Sequence, residues 1–150
     1  MGNTIDWIAL DVAKSCGVAI LYSNGVVRVT TVVGSPQQQL DRLVEIIGDN
    51  NEFSLVIETL TYFRNAKTIR SLLERSGFLK YSLVNSYLIK KVEQVSATDA
   101  RKALRVKSKG EALKFFRKYL PKINNDESDA LALLWALGVI NKKTIYERLA

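Results

Sequence analysis

The sequence predicts an α/β fold: a central mixed sheet of five strands flanked by helices. Three observations carry that expectation. The first third of the 150 residues is apolar and β-branched, and the dipeptide Asn24-Gly25 interrupts it as a hairpin turn. After residue 35, short apolar runs alternate with segments whose apolar residues recur every three to four positions. The last third is helical in pattern throughout. The order βββ-α-β-α-β-ααα implies helices packed on a sheet, and the length suits a single domain over residues 1–150.

Residues 5–12 are largely apolar and read as a buried strand carrying Asp11. Residues 16–22 form the second strand and 26–33 the third, so the opening is an antiparallel meander. Ser35-Pro36 opens a helix, with Ser as N-cap and Pro at the first helical position. Leu40, Leu43, Val44 and Ile47 form its apolar face, and Gly48 ends it. Residues 54–58 are a short buried strand ending on Glu58. A helix over 65–76 turns Ala66, Ile69, Leu72 and Leu73 inward and stops at Gly77, and residues 81–85 form the fifth strand. Thr98 caps a short helix ending at Leu104. Ser108 and Glu111 form a capping-box pattern before a helix over 112–120, stopped by Pro121. The last helix runs over 126–140.

Composition removes whole classes of chemistry. There is no histidine and one cysteine. Ser-His-Asp and Cys-His catalysis, imidazole metal ligation, intrachain disulfides and cysteine-rich zinc sites are therefore out. Carboxylates, Lys/Arg, hydroxyls and amides are left, a toolkit suited to hard cations such as Mg²⁺ or Mn²⁺. No apolar run approaches the length of a membrane span, and residues 1–7 carry no signal-peptide pattern. An intracellular, reducing compartment is expected, whether cytoplasm, nucleoid, organelle or a virus-infected host cell, with no membrane association.

The net charge of +7 is unevenly spread. Residues 1–60 are net −4 and residues 61–150 net +11, with +8 concentrated between Lys90 and Lys122. That asymmetry points to a polyanionic partner.

Four carboxylates stand out by position. Asp11 and Glu58 each lie at the end of a buried strand, and Asp126 and Asp129 lie in the first turn of an apolar helix, three apart and able to face one way. Taken singly, Asp126 and Asp129 could serve only the helix N-terminus through capping and dipole effects, and Asp11 could simply end its strand as a turn residue. As a cluster, the four are costly unless cations neutralise them. Two divalent ions bridged by Asp11 would suit hydrolysis of a phosphodiester.

Asp11 with Ser15-Cys-Gly-Val-Ala19, Val56-Ile-Glu58, and Asp126-Glu-Ser-Asp-Ala-Leu-Ala132 resemble the acidic motif set of RuvC-type Holliday-junction resolvases. These belong to the RNase H-like (retroviral integrase) superfamily. The resemblance spans about residues 5–137, and its Asp-x-x-Asp-Ala-Leu-Ala ending is its most specific part. It implies an RNase H-like nuclease domain in which Asp11, Glu58, Asp126 and Asp129 hold two Mg²⁺ ions, Mn²⁺ substituting, with no small-molecule cofactor. It also implies paired symmetric nicks in four-way DNA junctions that leave 5′-phosphate and 3′-hydroxyl ends. The chain departs from the bacterial pattern in keeping only the second of two glycines after Asp11, namely Gly17. It looks closer to a divergent viral, phage or organellar-like branch.

The basic stretch Arg101, Lys102, Arg105, Lys107 and Lys109 matches the segment that approaches the scissile phosphate. Arg101 or Lys102 is its first match and Lys107 or Lys109 its second. Tyr62 or Phe63, in the loop after Glu58, is placed either to stack on a junction base or in the core. Arg64, Lys67 and Arg70 then lie along the next helix for phosphate contact. Lys114, Arg117 and Lys118 read as a solvated helix face, Asp6 as structural and Glu127 as solvent-facing beside the site. Two symmetric cuts match a C₂ homodimer; the Ala66, Ile69, Leu72, Leu73 stripe is either its interface or core. Two other readings stand beside the resolvase: another RNase H-like nuclease acting on RNA–DNA hybrid or structured RNA, and a non-catalytic nucleic-acid-binding module.

Overall fold

The computed structural model describes residues 4–59 and 66–149. Strands β1 (Ile5–Asp11), β2 (Ser15–Tyr22) and β3 (Val26–Val33) form the expected meander, turning through Gly25 at φ +86°. Helix α1 (Pro36–Ile47) begins on the Ser35 cap, whose capping box is completed by Gln38, and ends at Gly48 with φ +61°. Strand β4 (Glu52–Thr59) lies parallel to β1.

The chain then departs from the sequence expectation. Helix α2 (Ala66–Ser86) runs through Gly77 and absorbs residues 81–85, which had read as a strand. Arg75, Leu79 and Leu83 are its buried residues, one turn apart along a single helix face. Gly77 is exposed and costs the helix only its propensity, about 1 kcal/mol. The true β5 (Leu88–Ser96) is an edge strand rich in Lys and Glu, a composition that protects edges from pairing with other chains and hides them from hydropathy patterns. Helix α3 (Ala97–Leu104) is capped by Ser96 rather than Thr98. Helices α4 (Lys109–Phe116) and α5 (Asn125–Ala136) end four residues short of expectation, and α5 is capped by Asn124. An unforeseen β6 (Ile145–Arg148) pairs in parallel with β3. Among the described residues the sheet is thus six-stranded, in the order β5-β4-β1-β2-β3-β6.

The pleat sorts the core into two layers. Ile8, Leu10, Ile20, Leu55 and Ile57 face α1 and α2 with Leu43, Ile47, Leu79 and Leu83. Ala9, Ala19, Val29 and Val56 face the other way and pack on Ala100, Phe116 and the run from Ala130 to Leu134. Alternation then dictates that Asp11, two residues beyond Ala9, and Glu58, two beyond Val56, share the α5 side. On the opposite side Gln39, fully buried, donates to the carbonyls of Ala13, Lys14 and Val32, and accepts from Arg75. This network pins the turn that follows Asp11. The expected inward stripe of α2 is not buried: Ile69 and Leu72 are half-buried, while Ala66 and Leu73 are exposed. No described helix is long and apolar enough to cross a membrane.

Candidate active site

Parallel pairing sets the first two acids side by side. Leu10 is opposite Ile57 in the β1–β4 register, so Asp11 and Glu58 follow at the same level at the carboxyl ends of adjacent strands. Their side chains are within hydrogen-bonding reach. The third acid arrives on α5. Asp11 is opposite Gly17 in β2, and the first turn of α5 lies directly on Gly17, where a Cβ would collide with the backbone carbonyl of Asp126. Asp129 thereby joins Asp11 and Glu58. Asp126 accepts a hydrogen bond from Ser15 Oγ at 2.9 Å.

The cluster is short of positive charge. Asp11 is 8% exposed. Burial first, then Glu58 and Asp129, push its pKa up to about 9. Burial likewise raises Glu58 and Asp129. The Asp11–Glu58 pair therefore keeps a proton at neutral pH, as like charges in close contact must. Two cations partly offset the charge. Lys109 Nζ, from the first residue of α4, is 3.0 Å from Asp129 Oδ2. Partial burial opposes the charge on Lys109, but Asp129, with Asp11 and Asp126, outweighs it and raises its pKa. Arg101, from α3, acts on both Glu58 and Asp129 and lines a narrow cleft with them, floored by Ala100, Ala112 and Ala132.

Of the basic residues picked from the sequence, the structure brings Arg101 and Lys109 to the acids. Lys102 and Lys107 stay on the exposed surface. Arg105 forms the left-handed C-cap of α3 at φ 60°, a place usually given to Gly or Asn. Lys67 and Arg70 are exposed on the first turns of α2. Tyr62, Phe63 and Arg64 lie outside the described residues. Lys114, Arg117 and Lys118 are all exposed, the solvated helix face expected of them.

One assignment is overturned outright. Glu127, expected to face solvent, is fully buried. Burial opposes its charge, but Arg148, the Asn124 N–H and Thr31 together overcome that and lower its pKa. The sequence signal was present: Asn124 and Glu127 are a capping box, and only the late β6 arginine was needed to let the glutamate sink inward. Gln39 and Arg75 were also missed as site supports, with nothing local in the sequence to mark them, and Ser15 stood only as part of the motif after Asp11.

Among the described residues, no three Asp, Glu or Cys side chains stand at the spacing of a preformed metal cage. Asp126 is engaged by Ser15 and Asp129 by Lys109. The donor set itself fits a hard divalent cation: all oxygen, and holding a proton against its ordinary acidity through burial and the crowding of like charges.

No family model matches the chain, and no curated protein does. Solved structures do match. Thermus thermophilus RuvC in complex with a Holliday junction substrate superposes with a TM-score of 0.67 at 14% identity, covering 91% of this chain and 93% of that one. A second T. thermophilus RuvC structure gives 0.61 at 15% identity, covering 89% and 93%. The chain thus has the fold of RuvC, an RNase H-like sheet with helices on both faces.

Proposed function

We propose that this chain is a divalent-cation-dependent endonuclease that cuts branched DNA, resolving four-way junctions. One observation carries the reading. Asp11, Glu58 and Asp129 meet at the ends of adjacent parallel strands, short of positive charge, with Arg101 and Lys109 beside them. The RuvC fold, seen elsewhere bound to a Holliday junction, supports the choice of substrate.

Asp11, Glu58, Asp126 and Asp129 would hold Mg²⁺ or Mn²⁺. When bound, the cation supplies Lewis-acid stabilisation of charge on the phosphodiester and acidifies a coordinated water. The residues do the rest. Asp11 and Glu58 share a proton within hydrogen-bonding reach of each other, and in its ionised form Glu58 would be the group to accept a proton from the attacking water. Ser15 orients Asp126. Lys109 and Arg101 sit where a scissile phosphate would meet them and stabilise the charge that develops in the transition state. The basic surface with Lys102, Arg105, Lys107, Lys67 and Arg70 contacts phosphates further out, making affinity strongly salt-dependent.

The deciding experiment offers labelled four-way junctions, RNA–DNA hybrids and linear duplex to the protein with Mg²⁺ and with EDTA. Paired nicks in the junction, lost in EDTA, support the proposal. Preferential cleavage of the hybrid moves the chain to another RNase H-like activity, and EDTA-resistant cleavage sinks the metal mechanism. Lys109→Met is expected to slow single-turnover cleavage about 100-fold while junction affinity falls less than about tenfold. Equal losses in both would make Lys109 a docking residue only.

Symmetric resolution needs two sites, and α2 offers a surface for pairing. Leu73, Tyr81 and Val84, spaced along one side of the helix, are 52%, 73% and 43% exposed. Light scattering is expected to give twice the chain mass, reverting to the single mass in Leu73→Glu/Tyr81→Glu. A single mass for the parent protein, with or without junction, defeats the dimer.

A further inference from the structure

The N-terminal end of α5, residues 125–129, has two sides. One carries Asp126 and Asp129. The other carries Glu127, fully buried, on which donors from three separate parts of the chain converge. Arg148 Nη1 reaches Oε2 at 2.7 Å and Nη2 reaches Oε1 at 2.8 Å, a two-pronged clamp. Thr31 Oγ1 donates to Oε2 at 3.0 Å and the Asn124 N–H to Oε1 at 3.2 Å. Asn124 Nδ2 donates in turn to Thr31 Oγ1 at 2.9 Å, and Arg148 Nη2 to the Lys122 carbonyl at 3.2 Å. The clamp is anchored in the sheet, because Arg148 pairs with Val29 in the β3–β6 ladder and the Leu149 N–H donates to the Val29 carbonyl.

A capping glutamate needs none of this to end a helix; the reciprocal bonds with Asn124 suffice. The body of α5 is likewise held without it, by the buried run from Ala130 to Leu134. Asp126 and Asp129 project from the start of this helix, where the donors on Glu127 add to the seat that the Asp126 carbonyl takes on Gly17. A bidentate guanidinium fixes rotation as well as distance, which a single hydrogen bond does not.

We propose that Arg148 is a positioning residue: by clamping Glu127 from the C-terminal strand, it holds Asp126 and Asp129 towards Asp11 and Glu58 and so sets the site's affinity for its divalent cation. The inference rests on the metal-dependent reading given above. Supports one layer behind metal ligands are typically worth about 10- to 100-fold in metal affinity or activity.

The test uses the full chain and Mn²⁺ as probe, with binding followed by calorimetry and by the metal-induced rise in Tm. Parent protein, Arg148→Met, Arg148→Lys, Glu127→Gln and the Arg148→Met/Glu127→Gln pair are compared, with Asp11→Asn as reference. Arg148→Met is expected to weaken Mn²⁺ binding about 10- to 100-fold. Arg148→Lys should recover part of the loss, and adding Glu127→Gln to Arg148→Met should cost little more, since the two act as a unit. If Arg148→Met lowers Tm yet binds Mn²⁺ like the parent, the residue is structural only and the inference fails. If Arg148→Met does not fold, Arg148→Lys measured well below its own Tm carries the comparison, and parent-like Mn²⁺ binding there overturns the proposal. Parent protein that binds no Mn²⁺, or that binds it no better than Asp11→Asn, overturns the metal reading and this inference together. Loss of binding in Asp11→Asn with full binding in every Arg148 variant overturns this inference alone.

Discussion

Asp11→Asn is expected to abolish junction cleavage, by at least about a thousandfold, and at the same time to make the metal-free protein more stable. The first effect removes the carboxylate that joins both strand ends to α5. The second follows from what burial does to that carboxyl. In the folded chain its pKa is about 9 against an ordinary 3.8. The folded state therefore binds a proton that the unfolded state has already released. Its contribution to stability is complete below about pH 4 and is lost progressively as pH rises towards about 9. Asparagine is neutral throughout, and its amide can donate to Glu58 as the protonated Asp11 does. At pH 8 in EDTA the variant should gain on the order of 1–3 kcal/mol, several degrees in Tm. Tm measured from pH 5 to 9 is expected to fall more steeply for the parent than for the variant. Mg²⁺ should narrow the gap, because it binds only the folded parent site. Parallel pH slopes would mean that Asp11 is not held protonated, and residual cleavage above about a tenth of the parent rate would remove it from the catalytic set.

The meander, α1 and β4 were legible because each is bounded by local chemistry: Asn24-Gly25, the Ser35-Pro36 cap, Gly48, and a run of apolar β-branched residues. The edges of the sheet were not. β5 carries Lys90, Lys91 and Glu93, and β6 is four residues of mixed polarity; both exist because a neighbouring strand offers unpaired backbone groups. Residues 81–85 failed for the converse reason. Their Tyr-Ser-Leu-Val pattern alternates like a strand, and Leu83 continues the Arg75 and Leu79 face at a four-residue spacing that suits a strand as well as a helix.

The acidic positions were legible one by one, and strand parity already put Asp11 and Glu58 on one side. The choice among cations was not, because it depends on the angle at which α4 leaves its cap: the helix starts on Lys109 and so aims that residue, rather than Lys107, at Asp129. The partner of Glu127 was beyond sequence reasoning for a simpler cause. It lies 21 residues on, in a strand that local pattern did not reveal.

Gly17→Ala is expected to damage stability and catalysis together through a single methyl group. The new Cβ would fall onto the carbonyl carbon and oxygen of Asp126 and within 2.9 Å of the Glu127 nitrogen. These are backbone atoms in the first turn of a helix whose next turns are locked in the core by Ala130, Leu131 and Leu134. No side chain can rotate away, so the turn must lift off β2. Overpacking of this kind costs about 1–3 kcal/mol. The same displacement carries Asp126 and Asp129 away from Asp11 and Glu58, and a misplacement of about 1 Å is worth about 100-fold in rate. Gly77→Ala is the control for stability: Gly77 lies within α2, nothing stands within 4 Å of its Cβ, and the substitution should stabilise by about 0.5–1 kcal/mol. Assayed well below both melting temperatures, Gly17→Ala should therefore lose about two orders of magnitude in single-turnover cleavage and bind Mn²⁺ more weakly, while the junction still binds. Parent-like cleavage in a folded Gly17→Ala protein would mean that α5 tolerates the shift, and that the acids on its first turn do not need the contact with β2 to act.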